Sequence, residues 1–256
     1  FAQSNLLNAK TPDQIGKKTE AELSADNDKP LPYGYVHDRD ILMGKRIWEF
    51  VDLDERVNFP LYFPVEGDVM SSPDRRPLYN VLINGIKEGK ITEVYTDSYF
   101  NTKKTFKDMT TSFTYIDTTD AGKEEINTYP EDYKSGRKVL DPQYINKKEL
   151  SSIDISDYKI KGFWYFDKRQ SELKYRLLGI CPVSPEAKEI GAENPDYIEL
   201  FWVYFPAVRD ILHDAKAFND RNSAMPISFD HLLNSRRFSG VIYKEENVYG
   251  DREIAE

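Results

Sequence analysis

Leu78, Val81, Leu82 and Ile86 recur at the i, i+3, i+4, i+8 spacing of one helical face, and Gly89 then precedes the short apolar segment Ile91 to Tyr95. Much later, Phe229, Leu232 and Leu233 keep the same spacing, and Gly240 precedes Val241-Ile242-Tyr243. Each pattern follows an aromatic string closed by proline: Leu61-Tyr62-Phe63-Pro64 in the first case, Val203-Tyr204-Phe205-Pro206 in the second. Upstream, Ile47-Trp48-Glu49-Phe50-Val51-Asp52 can be laid against Phe163-Trp164-Tyr165-Phe166-Asp167, with different spacing between the blocks. This order predicts an internal duplication, with related halves at about residues 33–95 and 158–250.

The second half is the more regular. Tyr158 to Asp167 and Leu173 to Cys181 read as strands joined across a hairpin-length break, Lys168 to Glu172. Ile198 to Tyr204 reads as a further strand, after which Pro206 opens a helix with Val208, Ile211, Leu212 and Ala215 on one face. Lys45 to Leu53 fits a helix or a strand, and its likeness to the 160–167 segment favours the strand. The region 96–157 between the halves is polar, with turn signals at Asp120-Ala121-Gly122, Ser135-Gly136 and Asp141-Pro142, so it reads as a connection built of short hairpins. Residues 1–32 form a polar arm ending in the stiff Lys29-Pro30-Leu31-Pro32. Within it Thr11-Pro12-Asp13-Gln14 has capping-box spacing, predicting a short helix to about Leu23 with Ile15 and Leu23 as its thin apolar face. The expected fold class is α+β: residues 33–256 as one domain, a twisted mixed or antiparallel sheet with helices packed on one side.

Composition adds mostly exclusions. A net charge of −9 opposes the counterion release that drives binding to phosphate backbones, so nucleic acid is not an expected partner. The longest apolar run, Leu200 to Val208, contains Pro206 and is far short of the roughly 20 residues that span a bilayer. A single cysteine, Cys181, cannot form an intrachain disulfide, and its apolar setting predicts a buried, inert thiol. No signal-peptide pattern or lipidation cysteine stands near Phe1, so a membrane role would need a partner as anchor.

Candidate chemistry is sparse. His37, His213 and His231 lack metal-pair spacing, and no nucleophile elbow, phosphate-binding glycine loop or His-Glu-x-x-His occurs. In His37-Asp38-Arg39-Asp40 the aspartates read as caps for the next segment. Asp52 and Asp54 would share a strand face, as a divalent-ion site or a glycosidase carboxylate pair, unless Arg56 neutralises them. No cofactor or metal is expected. The passage Arg236-Arg237-Phe238 to Tyr249 reads either as an edge strand with charged gatekeepers or as a recognition edge, since Arg and Tyr dominate contact energies. Trp202, Arg236, Arg237, Tyr243 and Tyr249 form the candidate contact set. The 17 Tyr, 14 Phe and 3 Trp support either a sheet core or a contact surface.

The segments Trp48 to Pro64, Phe163 to Arg169, Leu200 to Pro206 and Asn247-Val248-Tyr249 resemble the GldN/PorN family of gliding motility and type IX secretion in Bacteroidetes. The likeness runs from about Tyr33 to Ile254 and is nearer to GldN, because the chain stops soon after Tyr249. It implies a non-catalytic periplasmic scaffold that forms a ring with a GldK/PorK-type outer-membrane lipoprotein and meets the periplasmic domains of a GldM/PorM-type motor subunit. The competing expectation is a periplasmic glycan- or peptidoglycan-binding module, with exposed Trp and Tyr stacking on sugars and Asp52 or Asp54 accepting hydroxyl hydrogen bonds.

Overall fold

Strand β1 (Ile41–Asp52) explains its own ambiguity, because Ile47, Trp48, Glu49 and Val51 are all buried. A strand covered on both faces loses the alternation that distinguishes it from a helix. The computed structural model describes residues 29–65, 76–134, 140–218 and 227–254, together with residues 11 and 14. The helix expected after Thr11, with Ile15 and Leu23, and the Ser135-Gly136 turn lie outside these residues.

The described elements between β1 and the second half are short. They are α1 (Phe59–Tyr62), α2 (Leu78–Lys87), β2 (Val94–Tyr95), β3 (Lys103–Lys104), α3 (Phe106–Phe113), β4 (Thr114–Thr118), α4 (Asp120–Thr128), α5 (Pro130–Lys134) and β5 (Ile145–Glu149). Then follow β6 (Asp157–Asp167), β7 (Glu172–Pro185), β8 (Tyr197–Glu199), β9 (Val203–Tyr204), α6 (Phe205–Asp214), β10 (Lys216–Ala217), β11 (Ile227–Ser228), α7 (Phe229–Asn234) and β12 (Val241–Glu245). One antiparallel sheet runs in the order β12-β1-β6-β7-β8, with β9 also paired to β7. The fold is α+β. Its second strand in spatial order comes from the start of the chain and is flanked by strands from the other half.

The two sheet faces bury different things. Val51, Tyr158, Ile160 and Leu177 join Leu82, Val208, Leu212, Phe229 and Leu233 in one large core under α2, α6 and α7. On the opposite face Trp48, Cys181 and Trp202 form a separate cluster, covered in part by Tyr95, Phe100 and Tyr243. Gly162 is needed at the join of β6 and β7, since a Cβ there would fall on the Tyr175 ring. Gly162→Ala is expected to cost about 1–3 kcal/mol through overpacking, read as a lower urea midpoint with an unchanged slope.

Several expectations change. The Asp120-Ala121-Gly122 turn signal opens α4 instead, where Thr119 Oγ1 accepts the Gly122 N–H at 3.3 Å; an N-cap and a turn use the same residue types. The strand expected over 198–204 is split into β8 and β9, and between them Trp202 pairs with Tyr95 through two 2.8 Å backbone hydrogen bonds. The aromatic strings also differ locally. Leu61-Tyr62 ends a helix, whereas Val203-Tyr204 is a strand and Phe205-Pro206 opens α6. The local counterpart of Phe205-Pro206 is Phe59-Pro60, which opens α1, so the echo in sequence is displaced by several residues in structure.

Candidate contact surface

Arg236 follows the end of α7 in the left-handed region, at φ +50°, with its N–H donated to Leu233 O at 3.1 Å. This turn aims the side chain inward. Its guanidinium donates to both carboxylate oxygens of Glu49, at 2.9 and 2.8 Å, and lies 4.2 Å from the Tyr175 ring centroid. Tyr175 adds its hydroxyl to the same carboxylate at 3.2 Å, and burial followed by the Glu49 charge pushes its phenol well above the ordinary range. Glu49 is 1% exposed. A buried carboxylate needs this pairing, since an unpaired charge inside a core is far costlier than a paired one. Arg237, one residue on, is exposed.

Lysines cap the opposite face. The Lys161 ammonium, buried, donates to Ser98 O at 2.8 Å and lies 4.9 and 4.6 Å from the ring centroids of Trp48 and Tyr99. Lys244 sits 4.8 Å from the Trp48 centroid. A register shift in the pairing of β1 with β12 beside Tyr243 turns both Tyr243 and Lys244 towards this cluster. Burial first, then the Arg46 charge, lowers Lys161 from 10.5 to about 8. The folded state therefore binds its proton less tightly than the unfolded one. The cost is complete below pH 8 and disappears by pH 10.5. At about 1.4 kcal/mol per unit, less the lost hydrogen bond, Lys161→Met is expected to gain about 1–2 kcal/mol at pH 7. Urea titrations at pH 7 and pH 10.5 should show that advantage shrinking.

Beyond β12 the chain closes a tight loop around Asn247. Its carboxamide oxygen accepts the N–H groups of Tyr249 and Asp251 at 3.0 and 3.1 Å, and Asp251 Oδ1 accepts the Asn247 N–H at 3.1 Å. Tyr99 donates its hydroxyl to Asp251 Oδ2 at 2.9 Å, which ties the loop to the lysine and aromatic layer. At the loop's base Arg46 hydrogen-bonds Glu246 and holds its carboxyl down at about 2. The tail then returns along the sheet edge, with Ile254 N–H donated to Tyr243 O at 2.9 Å. What this framework presents is apolar: Val248 is 91% and Tyr249 72% exposed, and Ile254 on the returning tail is exposed as well. The hydrogen-bonded loop thus holds an aromatic and an aliphatic side chain out into solvent beside an edge strand.

The expected contact residues thus occupy different environments. Tyr249 and Arg237 are exposed, Tyr243 is half-buried against the tryptophans, and Arg236 is turned into the core. Trp202 is fully enclosed, its indole N–H donated to Glu199 at 2.7 Å. The sequence model for gliding motility associated protein GldN matches residues 36–256. The chain belongs to the GldN family. No curated protein matches it. GldN membership makes it a component of gliding motility and type IX secretion, and the match covers the whole sheet and the Asn247 loop.

Other candidate chemistry takes structural forms in this GldN-family fold. Asp52 Oδ1 accepts the Asp54 backbone N–H at 2.8 Å, so the Asp52 carboxylate closes a turn, and Asp54 lies beyond the end of β1 and shares no strand face with it. The Asp38 and Asp40 side chains cap no helix; Asp40 lies 3.9 and 3.8 Å from Arg39 and Arg169. His37 packs edge-on against Tyr35, while His213 and His231 lie on α6 and α7. Cys181 is fully buried, which pushes its thiol up. No group of His, Cys, Asp or Glu placed to hold a metal ion occurs among the described residues, and no described helix is long and apolar enough to cross a membrane. Glu49, Lys161, Tyr99 and Val248 carry no motif that marks them in the sequence as functional; only Val248 has a local signal, as the centre of Asn247-Val248-Tyr249.

Proposed function

We propose that this GldN-family chain is a non-catalytic periplasmic scaffold subunit. It forms a ring with an outer-membrane lipoprotein of the GldK/PorK type and couples that ring to the GldM/PorM-type motor. The observation that carries this reading is the Asn247 loop, which holds Val248 and Tyr249 out from the sheet edge on a hydrogen-bonded frame. Tyr249 and Arg237 supply the side-chain types that dominate contact energies.

A closed ring with head-to-tail contacts needs a second, different surface. The arm linker supplies one. Tyr33 lies between the guanidiniums of Arg176 and Arg209, at 4.3 and 4.2 Å from its ring centroid, and donates its hydroxyl to Asn234 at 2.9 Å. The same arginines hold the linker backbone, Arg209 donating to Leu31 O at 2.8 Å and Arg176 to Gly34 O at 3.3 Å, while the Leu31 and Tyr35 side chains stay exposed as the surface offered to a neighbouring subunit.

The test is to mix the purified chain with its cognate lipoprotein, lacking the lipid, and to measure complex mass by light scattering together with electron micrographs. A stoichiometric complex growing into arcs or rings is expected. A chain that stays monodisperse and ignores the lipoprotein would sink the reading. Glycan binding finds no support in the tryptophans: Trp48 and Trp202 are fully buried, and Trp164 lies half-buried 5.2 Å from the Arg236 guanidinium.

A further inference from the structure

A groove of about 510 Å³ opens on the sheet face opposite the main helical core, between β12 and the turn that follows β1. Phe50, Val241 and Tyr243 give it an apolar floor. Val241 and Tyr243 are two residues apart on the edge strand, which suits an extended chain whose alternate side chains point the same way. Asp52, Glu55 and Glu253 stand around it. The lysine that lines it, Lys159, is already paired with Glu199 at 2.8 Å. The Asp52 carboxylate is engaged by the Asp54 N–H, while Glu55 and Glu253 have no ion pair with any described residue. The groove is therefore greasy along its floor and negative at its margin, and the cation that lines it among the described residues is already paired.

We infer that this groove receives an extended segment of a partner protein in which basic and apolar side chains alternate. The apolar residues would cover Val241 and Tyr243, and the basic ones would meet Glu55, Asp52 and Glu253. Charge complementarity selects this occupant. A second copy of the chain carries net charge −9, and nucleic acid and anionic lipid carry the same sign, so each is repelled by the margin. The inference rests on reading the chain as a binding subunit and gives the chemistry of one partner; it concerns a different surface from the Tyr249 loop.

The probe is a dye-labelled peptide alternating lysine with valine, followed by fluorescence anisotropy on the full chain, beside a counterpart with glutamate in place of lysine. The lysine peptide is expected to bind, with affinity falling as salt rises, and the glutamate peptide not to bind. Glu55→Lys with Glu253→Lys should weaken binding about tenfold, and Val241→Ser severalfold at unchanged charge. Reversing two distant exposed carboxylates, Glu172→Lys with Glu193→Lys, should change it little. Equal losses from the distant pair, no loss from Val241→Ser, or no binding of the lysine peptide would each overturn the inference. If the lipoprotein complex forms while the peptide fails, only the groove is misassigned; if the peptide binds while that complex never forms, the scaffold reading fails by itself.

Discussion

An Arg236→Met chain is expected to lose about 3 kcal/mol of unfolding free energy, the low end of the cost of removing one member of a buried ion pair. The loss comes from the carboxylate left behind. Glu49 is 1% exposed and would keep only the Tyr175 hydroxyl, at 3.2 Å, against a charge that two guanidinium hydrogen bonds now balance. Methionine restores most of the aliphatic volume against Tyr175 and Phe238, so a cavity contributes little. Adding Glu49→Leu should recover most of the stability, because an apolar pair of similar volume commonly replaces a buried ion pair without loss. Urea midpoints for both single changes and the double change form a complete cycle. A single-variant loss below about 1 kcal/mol would show that the pair is not what seats α7 and β12 against β1.

The second large effect is on assembly. Tyr249→Ala is expected to weaken the complex with the lipoprotein about thirtyfold, the scale of an interface hot spot, while moving the urea midpoint hardly at all. The reason for the separation is that Tyr249 is 72% exposed and its backbone, not its ring, belongs to the Asn247 hydrogen-bond frame. Asn247→Ala should weaken the complex comparably by a different route, through loss of the frame that accepts the Tyr249 and Asp251 N–H groups. Trp202→Ala should behave in the opposite way, damaging folding, since its fully enclosed ring holds the junction of β9 with Tyr95. Equal complex formation by wild type and Tyr249→Ala would remove the loop from the interface.

Much of the sheet was legible because its strands differ from their surroundings. The β6–β7 hairpin was bounded by the polar break 168–172, and α6 announced itself through Pro206 and the Val208, Ile211, Leu212 spacing. The middle of the chain was less legible. α4 is polar nearly all round, so Asp120-Ala121-Gly122 carried the marks of a turn when it was the first turn of a helix. The candidate surface was half visible. Tyr249 and Arg237 stand where an edge passage would expose them, yet Arg236 beside them was claimed by Glu49, 187 residues earlier. No local spacing encodes a partner at that distance. Trp202 misled for the complementary reason: tryptophan is common both at interfaces and in cores, and only its packing on Trp48 and Cys181, with the indole N–H donated to Glu199, decides between them.

The placement of β1 between β6 and β12 has a consequence for how this molecule comes into being. Residues 41–52 emerge early, but one side of the strand waits for residues 157–167 and the other for residues 241–245. Until the last of these is delivered, Trp48 and Glu49 sit on an open, unpaired edge whose natural closure has not yet been made. Completion therefore waits for residues 241–245: a chain cut short before Val241 would leave its buried centre as an exposed, self-adhesive strand.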